Sequence, residues 1–141
     1  MKINGFTLIE LLLVVGIMAI IALMSSPLLS NFVATNNLEN ASFRIISSIR
    51  KAQNYSINGK NNTPWGICLN GKNFRIYAGS CIAPTTKEDF AIPDGVSVSG
   101  LTDITFSSLR GEPTTTSSIT ISNSSGTKSI NINAAGGLTI N

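Results

Sequence analysis

The sequence predicts an α+β protein, in which a long N-terminal hydrophobic α-helix packs against an antiparallel β-sheet domain of about six or seven strands. Three observations predict this fold. Residues 6–24 form an apolar run whose only clearly polar side chains are Thr7 and Glu10. Apolar residues then recur at spacings of three and four until about residue 57, and after Pro64 they recur at spacings of two. Because no helices alternate with the later strands, these strands should pair antiparallel.

The apolar run has the length of a membrane helix. Its 19 residues, at 1.5 Å each, would span about 28 Å, close to the thickness of a bilayer's hydrocarbon core. Glu10 does not suit a simple membrane anchor, because a central acidic residue costs roughly 2.5–3.5 kcal/mol on insertion scales. A glutamate that stays at the lipid interface is the plain interpretation, and a partner for its carboxylate is the functional one.

The positions of the basic residues predict an orientation. Lys2 precedes the apolar run, and no Lys or Arg follows it until Arg44. The positive-inside rule therefore places Met1 in the cytoplasm and the chain beyond Pro27 outside. A cleavable secretory signal is the competing interpretation, but no Ala-x-Ala pattern follows the run, where such a signal would be cut.

Residues 25–57 are expected to continue the helix, with a kink rather than an end at Pro27. The apolar residues of this part share one helical face, which should lie against the sheet. They are Leu38, Ala41, Ile45, Ile49 and Ala52, and the face is widened by Phe43, Ile46 and Ile57. Asn58-Gly59 should end the helix.

Short alternating segments are expected to be the strands. Asn70-Gly71 separates two of them, 65–69 and 74–78, and this spacing indicates a hairpin. Residues 79–94 contain two prolines and a small charge cluster, so we expect a loop with at most a short strand near 90–92. The remaining strands should centre on Val96 and Val98, Ile104 and Phe106, Ile119 and Ile121, Ile130 and Ile132, and Leu138 and Ile140.

The amino-acid composition argues against catalytic activity. The chain has no histidine, which removes the Ser-His and Cys-His pairs of nucleophilic catalysis. The carboxylates show no spacing that pairs them for acid–base catalysis, and two cysteines without a histidine fall short of four metal ligands. We therefore expect no enzymatic activity, no metal and no cofactor.

The two cysteines, Cys68 and Cys81, allow two interpretations. Outside the cytoplasm they can form a disulfide, which would stabilise the domain by about 3 kcal/mol in the chain-entropy model. The alternative is a pair of free, buried thiols.

The start of the chain resembles the prepilin signature of type IV pilins and of the pseudopilins of type II secretion. The resemblance lies in Gly5-Phe6-Thr7-Leu8-Ile9-Glu10 and the apolar run behind it. It implies that a prepilin peptidase cuts between Gly5 and Phe6 and methylates the new amino terminus of Phe6. It also implies that Glu10 meets the amino terminus of a neighbouring subunit during assembly. A carboxylate in low dielectric is best satisfied by a cation and hydrogen-bond donors, which suits this role.

The C-terminal half is similar to the GspH/FimT group of minor pilins and pseudopilins. The similarity lies in residues 104–113, in the helix segment 48–55 and in the later strands, with Gly136-Gly137 before the last. The resemblance implies a division into a cleaved leader (1–5), a transmembrane and filament-core helix (6–30), the amphipathic half of the same helix (31–58) and an extracytoplasmic antiparallel β domain (59–141).

The expected function is that of a structural subunit, a minor pilin or pseudopilin, of a type IV pilus or a type II secretion pseudopilus. The expected partners are the prepilin peptidase/methyltransferase, other pilin or pseudopilin subunits, the inner-membrane assembly platform and, before assembly, membrane lipid. The precursor would be a single-pass cytoplasmic (inner) membrane protein with its C-terminal domain outside, and the mature chain would lie in the filament. A major type IV pilin is an alternative.

DNA uptake by direct binding is a further alternative, because some FimT-like minor pilins bind DNA through basic residues near the C-terminus. This chain has no arginine after residue 110, and its candidate contacts are the isolated residues Arg110 and Lys128. Because DNA affinity scales with the number of phosphates that a protein neutralises, DNA is not expected as a partner.

Overall fold

A computed structural model describes residues 6–141 of the chain, without the side chains of residues 24–28. The protein is α+β, as predicted, and divides into two compact units, Met1–Val33 and Ala34–Asn141. The predicted leader, residues 1–5, lies outside the described residues.

One long helix, α1, runs over Leu8–Ile57 and does not end at Pro27. The kink predicted at Pro27 stays a prediction, because the Pro27 side chain lies outside the described ones. The helix ends where Asn58-Gly59 predicts, because Gly59 has a left-handed backbone with φ of 61°. A short 3₁₀ helix, Lys60–Asn62, follows. No helix in the described part of the chain combines the length and hydropathy of a membrane span.

The described residues contain eight strands in two antiparallel sheets of four strands each. In chain order they are β1 (Trp65–Asn70), β2 (Asn73–Ala78), β3 (Thr86–Ala91), β4 (Ser97–Ser99), β5 (Ile104–Thr105), β6 (Ser117–Asn123), β7 (Gly126–Ile132) and β8 (Leu138–Ile140). The first sheet has the order β3-β2-β1-β5 and the second the order β4-β6-β7-β8. The prediction of one sheet with about six or seven strands is therefore wrong in strand count and in packing. The hairpin predicted at Asn70-Gly71 is confirmed, since β1 pairs with β2 across it.

Strand β3 shows why the strand count was wrong. It lies within the predicted loop 79–94 and pairs with β2 along its whole length, from Asn73↔Ala91 to Ala78↔Thr86. Among the described strands it is an edge strand, with β2 as its only neighbour. Backbone hydrogen bonds can hold an edge strand whose sequence lacks apolar alternation. Charged side chains, here those of Lys87-Glu88-Asp89, discourage the pairing of such an edge with a further chain.

The core of the second unit joins one face of α1 to residues of both sheets. The predicted helical face is buried at Leu38, Ala41, Ile45, Ile49 and Ala52, and it clusters with Trp65, Ile67, Ile76, Ile104, Ile119 and Ile130. The prediction that Phe43 and Ile57 widen this face is wrong, because they are 64% and 38% exposed. Both lie on the opposite side of the helix, with the exposed residues Ser47, Arg50 and Asn54.

Candidate assembly site

The first turn of α1 has a capped amino end. The backbone N–H of Glu10 donates to Thr7 Oγ1 at 3.3 Å and to Thr7 O at 3.1 Å, so Thr7 acts as the N-cap. The Thr-x-x-Glu spacing is the sequence signal from which this cap could have been predicted. The cap places Glu10 in the first helical turn, where the helix dipole favours a negative charge.

The Glu10 side chain is exposed and has no hydrogen-bond or ion-pair partner among residues 6–141. A carboxylate at the start of an apolar helix is well placed to meet a cation that another molecule brings. The predicted cleavage and methylation site lies only partly among the described residues. Gly5 lies outside the described residues, and Phe6, the first described residue, is 78% exposed.

The helix surface of residues 6–23 is apolar except at Thr7 and Glu10. Every residue from 6 to 23 is exposed, and the large apolar side chains range from 43% exposed at Val14 to 80% at Leu23. A Cβ atom built at Gly16 would meet no atom within 4 Å. A helix with an apolar surface all round is normally covered by lipid or by other protein.

Cys68 and Cys81 are joined by a disulfide, with their Cα atoms 6.3 Å apart. The bond links β1 to the loop between β2 and β3.

Arg75, only 6% exposed, binds the same loop. Its Nε and Nη2 donate to the two Asp89 carboxylate oxygens at 2.6 and 3.0 Å, and its Nη1 donates to Cys81 O at 3.0 Å. The hydrogen bond from Arg75 lowers the pKa of Asp89. No sequence signal pointed to this clamp, because it depends on the register of β3.

A second polar contact that the sequence did not reveal lies in the first sheet. The buried Tyr77 hydroxyl donates to the Asp103 carboxylate, and burial together with this bond raises the pKa of Tyr77 to about 12. Tyr77 lies opposite Gly66 in the β1–β2 register, and a Cβ at residue 66 would clash with the Tyr77 ring. The glycine therefore makes room for the aromatic ring, and the pair is structural.

The two candidate DNA contacts both lie near acidic residues. Lys128 Nζ, on β7, is 2.7 Å from Glu39 Oε2 on α1. Arg110 Nη1, in an exposed turn, is 3.7 Å from Glu112 Oε1. These carboxylates offset the positive charge that a phosphate would need. Within the described residues, no group of three or more His, Cys, Asp or Glu side chains could hold a metal ion.

The match to a known protein family lies at the start of the chain. Residues 1–26 match the family model described as the prokaryotic N-terminal methylation motif. No curated protein and no solved structure matches the chain. The matched segment contains Gly5, Phe6 and Glu10, and it supports a type IV pilin-like structural protein.

Proposed function

We propose that the protein is a minor pilin or pseudopilin, a structural subunit of a type IV pilus or of a type II secretion pseudopilus. The methylation motif over residues 1–26 supports the prepilin part of this proposal. The observation that carries the assembly part is the uncovered apolar helix surface of residues 6–23, interrupted near its start by the unpaired carboxylate of Glu10.

Processing comes first in the proposed sequence of events. Prepilin peptidase cuts between Gly5 and Phe6, and the new α-amine of Phe6 is methylated. Before assembly, residues 6–30 lie in the inner membrane and the domain of residues 59–141 lies outside. Lipid then covers the same apolar side chains that the structure leaves exposed.

Assembly replaces lipid by neighbouring helices. The helix of residues 6–30 leaves the membrane and packs against copies or related subunits, which bury its apolar surface. Glu10 then pairs with the amino terminus of a neighbouring subunit. In the low dielectric between helices such a charge-assisted bond is stronger than in water, and an unpaired carboxylate there is costly. The pair therefore favours one register of neighbouring subunits over others.

The first test is the intact mass and N-terminal sequence of the chain, expressed with and without a prepilin peptidase. The proposal predicts a mature chain that starts at Phe6 and is one methyl group heavier than the bare cut. A Gly5→Val variant should stay unprocessed because it changes the cleavage position, while Glu112→Ala, an exposed position in the second unit, should be cut normally. A chain that keeps residues 1–5 beside an active peptidase contradicts the proposal, as does a cut near Ser25 or Ser26.

A further inference from the structure

We infer that the Cys68–Cys81 disulfide is a redox switch for strand β3: a dithiol opens the disulfide, and the opening loosens β3 while the second sheet keeps its structure. The disulfide loop is defined as residues 79–85, which join β2 to β3. The switch lies within one chain, so it operates without assembly into a filament.

Three residues paired in register cross the first sheet beneath this loop. Cys68 of β1 lies opposite Arg75 of β2, and Arg75 lies opposite Asp89 of β3. Because side chains alternate along a strand, these three point away from the face on which Ile67 and Ile76 join the core. The disulfide loop therefore lies on the outer face of the first sheet, where its cysteine reaches Cys68.

The disulfide loop shields this outer face from water. Cys68 is 3% exposed and Arg75 is 6% exposed, although both lie on the face away from the core. Within the loop, Cys81 makes two attachments, the disulfide to Cys68 and a carbonyl oxygen that accepts from Arg75 Nη1 at 3.0 Å. The disulfide therefore holds in place the loop residue that contacts Arg75.

Arg75 connects the disulfide loop to β3. Its Nε and Nη2 donate to the two carboxylate oxygens of Asp89 at 2.6 and 3.0 Å. A charge-assisted bidentate pair is strong where water is excluded, whereas an exposed ion pair contributes little. When the loop is displaced, water reaches this pair and Arg75 loses Cys81 O as an acceptor. Strand β3 is sensitive to this loss, because β2 is its only neighbour among the described strands.

The contacts of β3 on the other face of the sheet do not involve the disulfide loop. Glu88 Oε2 lies 2.5 Å from Lys51 Nζ of α1, and Glu88 Oε1 accepts from the Tyr55 hydroxyl at 3.3 Å. Phe90 packs against the core. Opening the loop should therefore loosen β3 without detaching it. The second sheet, which has no strand pairing with β3, should keep its structure.

Thiol–disulfide exchange at Cys81 opens the switch. A thiolate of an external dithiol attacks Cys81 Sγ, which belongs to the more exposed of the two cysteines, and forms a mixed disulfide with it. The bond between Cys68 and Cys81 breaks, and Cys68 leaves as a thiolate that takes up a proton. The second thiol of the dithiol then attacks the mixed disulfide, which frees Cys81 as a thiol and oxidises the dithiol to a disulfide.

Hydrogen exchange of the full-length chain in detergent, with and without dithiothreitol, tests the switch. Over seconds to minutes, when local opening dominates, reduction should speed the exchange of residues 79–91 about tenfold or more, and that of β6 and β7 less than about twofold. The Cys68→Ser/Cys81→Ser double variant should show the faster exchange without reductant and should not respond to it. When glutathione replaces dithiothreitol and the reaction is quenched early, the first adduct should be on Cys81.

Arg75→Gln tests whether Arg75 connects the loop to β3. In the oxidised variant residues 86–91 should exchange faster, and their further response to dithiothreitol should shrink to less than about threefold, while residues 79–85 still respond. Lys87→Gln is the matched control. Lys87 Nζ also lies near Asp89, at 3.7 Å from Oδ2, but its side chain is 55% exposed. This variant should keep the full response of β3.

Three results would overturn the inference: no faster exchange of residues 86–91 on reduction, equal acceleration in both sheets, or an undiminished response of β3 in Arg75→Gln. A first glutathione adduct on Cys68 would also overturn it. Trp65 fluorescence, measured on each sample, shows whether the core is kept. Its loss on reduction would mean global unfolding and would contradict a switch confined to β3.

Discussion

Helix α1 presents similar apolar residues to two different surroundings. In residues 8–23 the large apolar side chains are 43–80% exposed, while the apolar face formed by Leu38, Ala41, Ile45, Ile49 and Ala52 is 0–5% exposed. The second segment finds its cover within the chain, in the two sheets. The first finds none among the described residues. Helix formation and helix burial are therefore separate in this chain, because residues 8–23 are helical without cover among the described residues.

The two glutamates of α1 repeat this contrast. Glu39 is 2.7 Å from Lys128 of β7, whereas Glu10 has no partner among residues 6–141. A carboxylate paired within the chain contributes to folding, and under the proposed function one without an internal partner is available for assembly. Substitutions that act on one segment of α1 and leave the other unchanged test this division.

The largest expected effect comes from truncating the buried face. Ile49 is 0% exposed, so Ile49→Ala should lower the free energy of unfolding of the second unit by about 2–5 kcal/mol. The same substitution at Ile17, which is 50% exposed, should change it by less than about 0.5 kcal/mol. Denaturant unfolding of the full chain in detergent, followed by Trp65 fluorescence, measures both. Equal losses for the two variants would contradict the division of α1.

The disulfide should have the next largest effect. Reduction of Cys68–Cys81 restores the freedom of a 12-residue loop in the unfolded chain, which costs about 3 kcal/mol of stability. Unfolding with and without reductant measures this loss. A Cys68→Ser/Cys81→Ser double variant is the control, because it should be equally destabilised and indifferent to reductant. An oxidised protein no more stable than the double variant would show that the bond adds nothing.

The raised pKa of Tyr77 predicts that the protein loses stability at alkaline pH. Its pKa is about 12 in the folded protein and 10.0 ordinarily. Below pH 10 the phenol is neutral in both states, and its contribution is fully present. Between pH 10 and 12 ionisation favours the unfolded chain, so stability falls with rising pH by about 2–3 kcal/mol.

A Tyr77→Phe variant isolates this group from other residues that titrate at alkaline pH. Its stability should fall less steeply between pH 10 and 12 than that of the unchanged protein, as measured by denaturant unfolding at a series of pH values. Parallel slopes for the two proteins would show that Tyr77 does not cause the alkaline loss.

The smallest expected effect is at the paired glutamate of α1. Glu39→Ala removes a partly exposed ion pair with Lys128, so it should lower the free energy of unfolding by less than about 1 kcal/mol. The variant should assemble normally. Lys128→Ala should have the same small effect, and the double variant should show little further loss. A loss of filament incorporation in Glu39→Ala would place this region at a subunit contact.

The sequence predicted the elements that depend on local patterns. The helical spacing from Leu38 to Ala52 and the turn at Asn70-Gly71 are short-range signals, and both elements are present. Strand β3 was missed because backbone pairing with β2, and not apolar alternation, holds it. The separation into two sheets was missed because strand order depends on contacts between residues far apart in the chain.

The same limit applies to the candidate sites. The residues Gly5, Phe6 and Glu10 were predicted from a contiguous motif. The Arg75–Asp89 clamp and the Tyr77–Asp103 contact join residues that only the folded chain brings together. Thr7 is the exception, because its capping role was readable from its spacing to Glu10.

Filament incorporation of Glu10→Ala, Glu10→Asp and Glu39→Ala should be measured side by side. All three should be processed to a chain that begins at Phe6. Glu10→Ala should be lost from filaments, Glu10→Asp should keep part of its incorporation because its carboxylate remains, and Glu39→Ala should incorporate normally. Normal incorporation of Glu10→Ala would show that the unpaired carboxylate at the start of the apolar helix has no role in assembly.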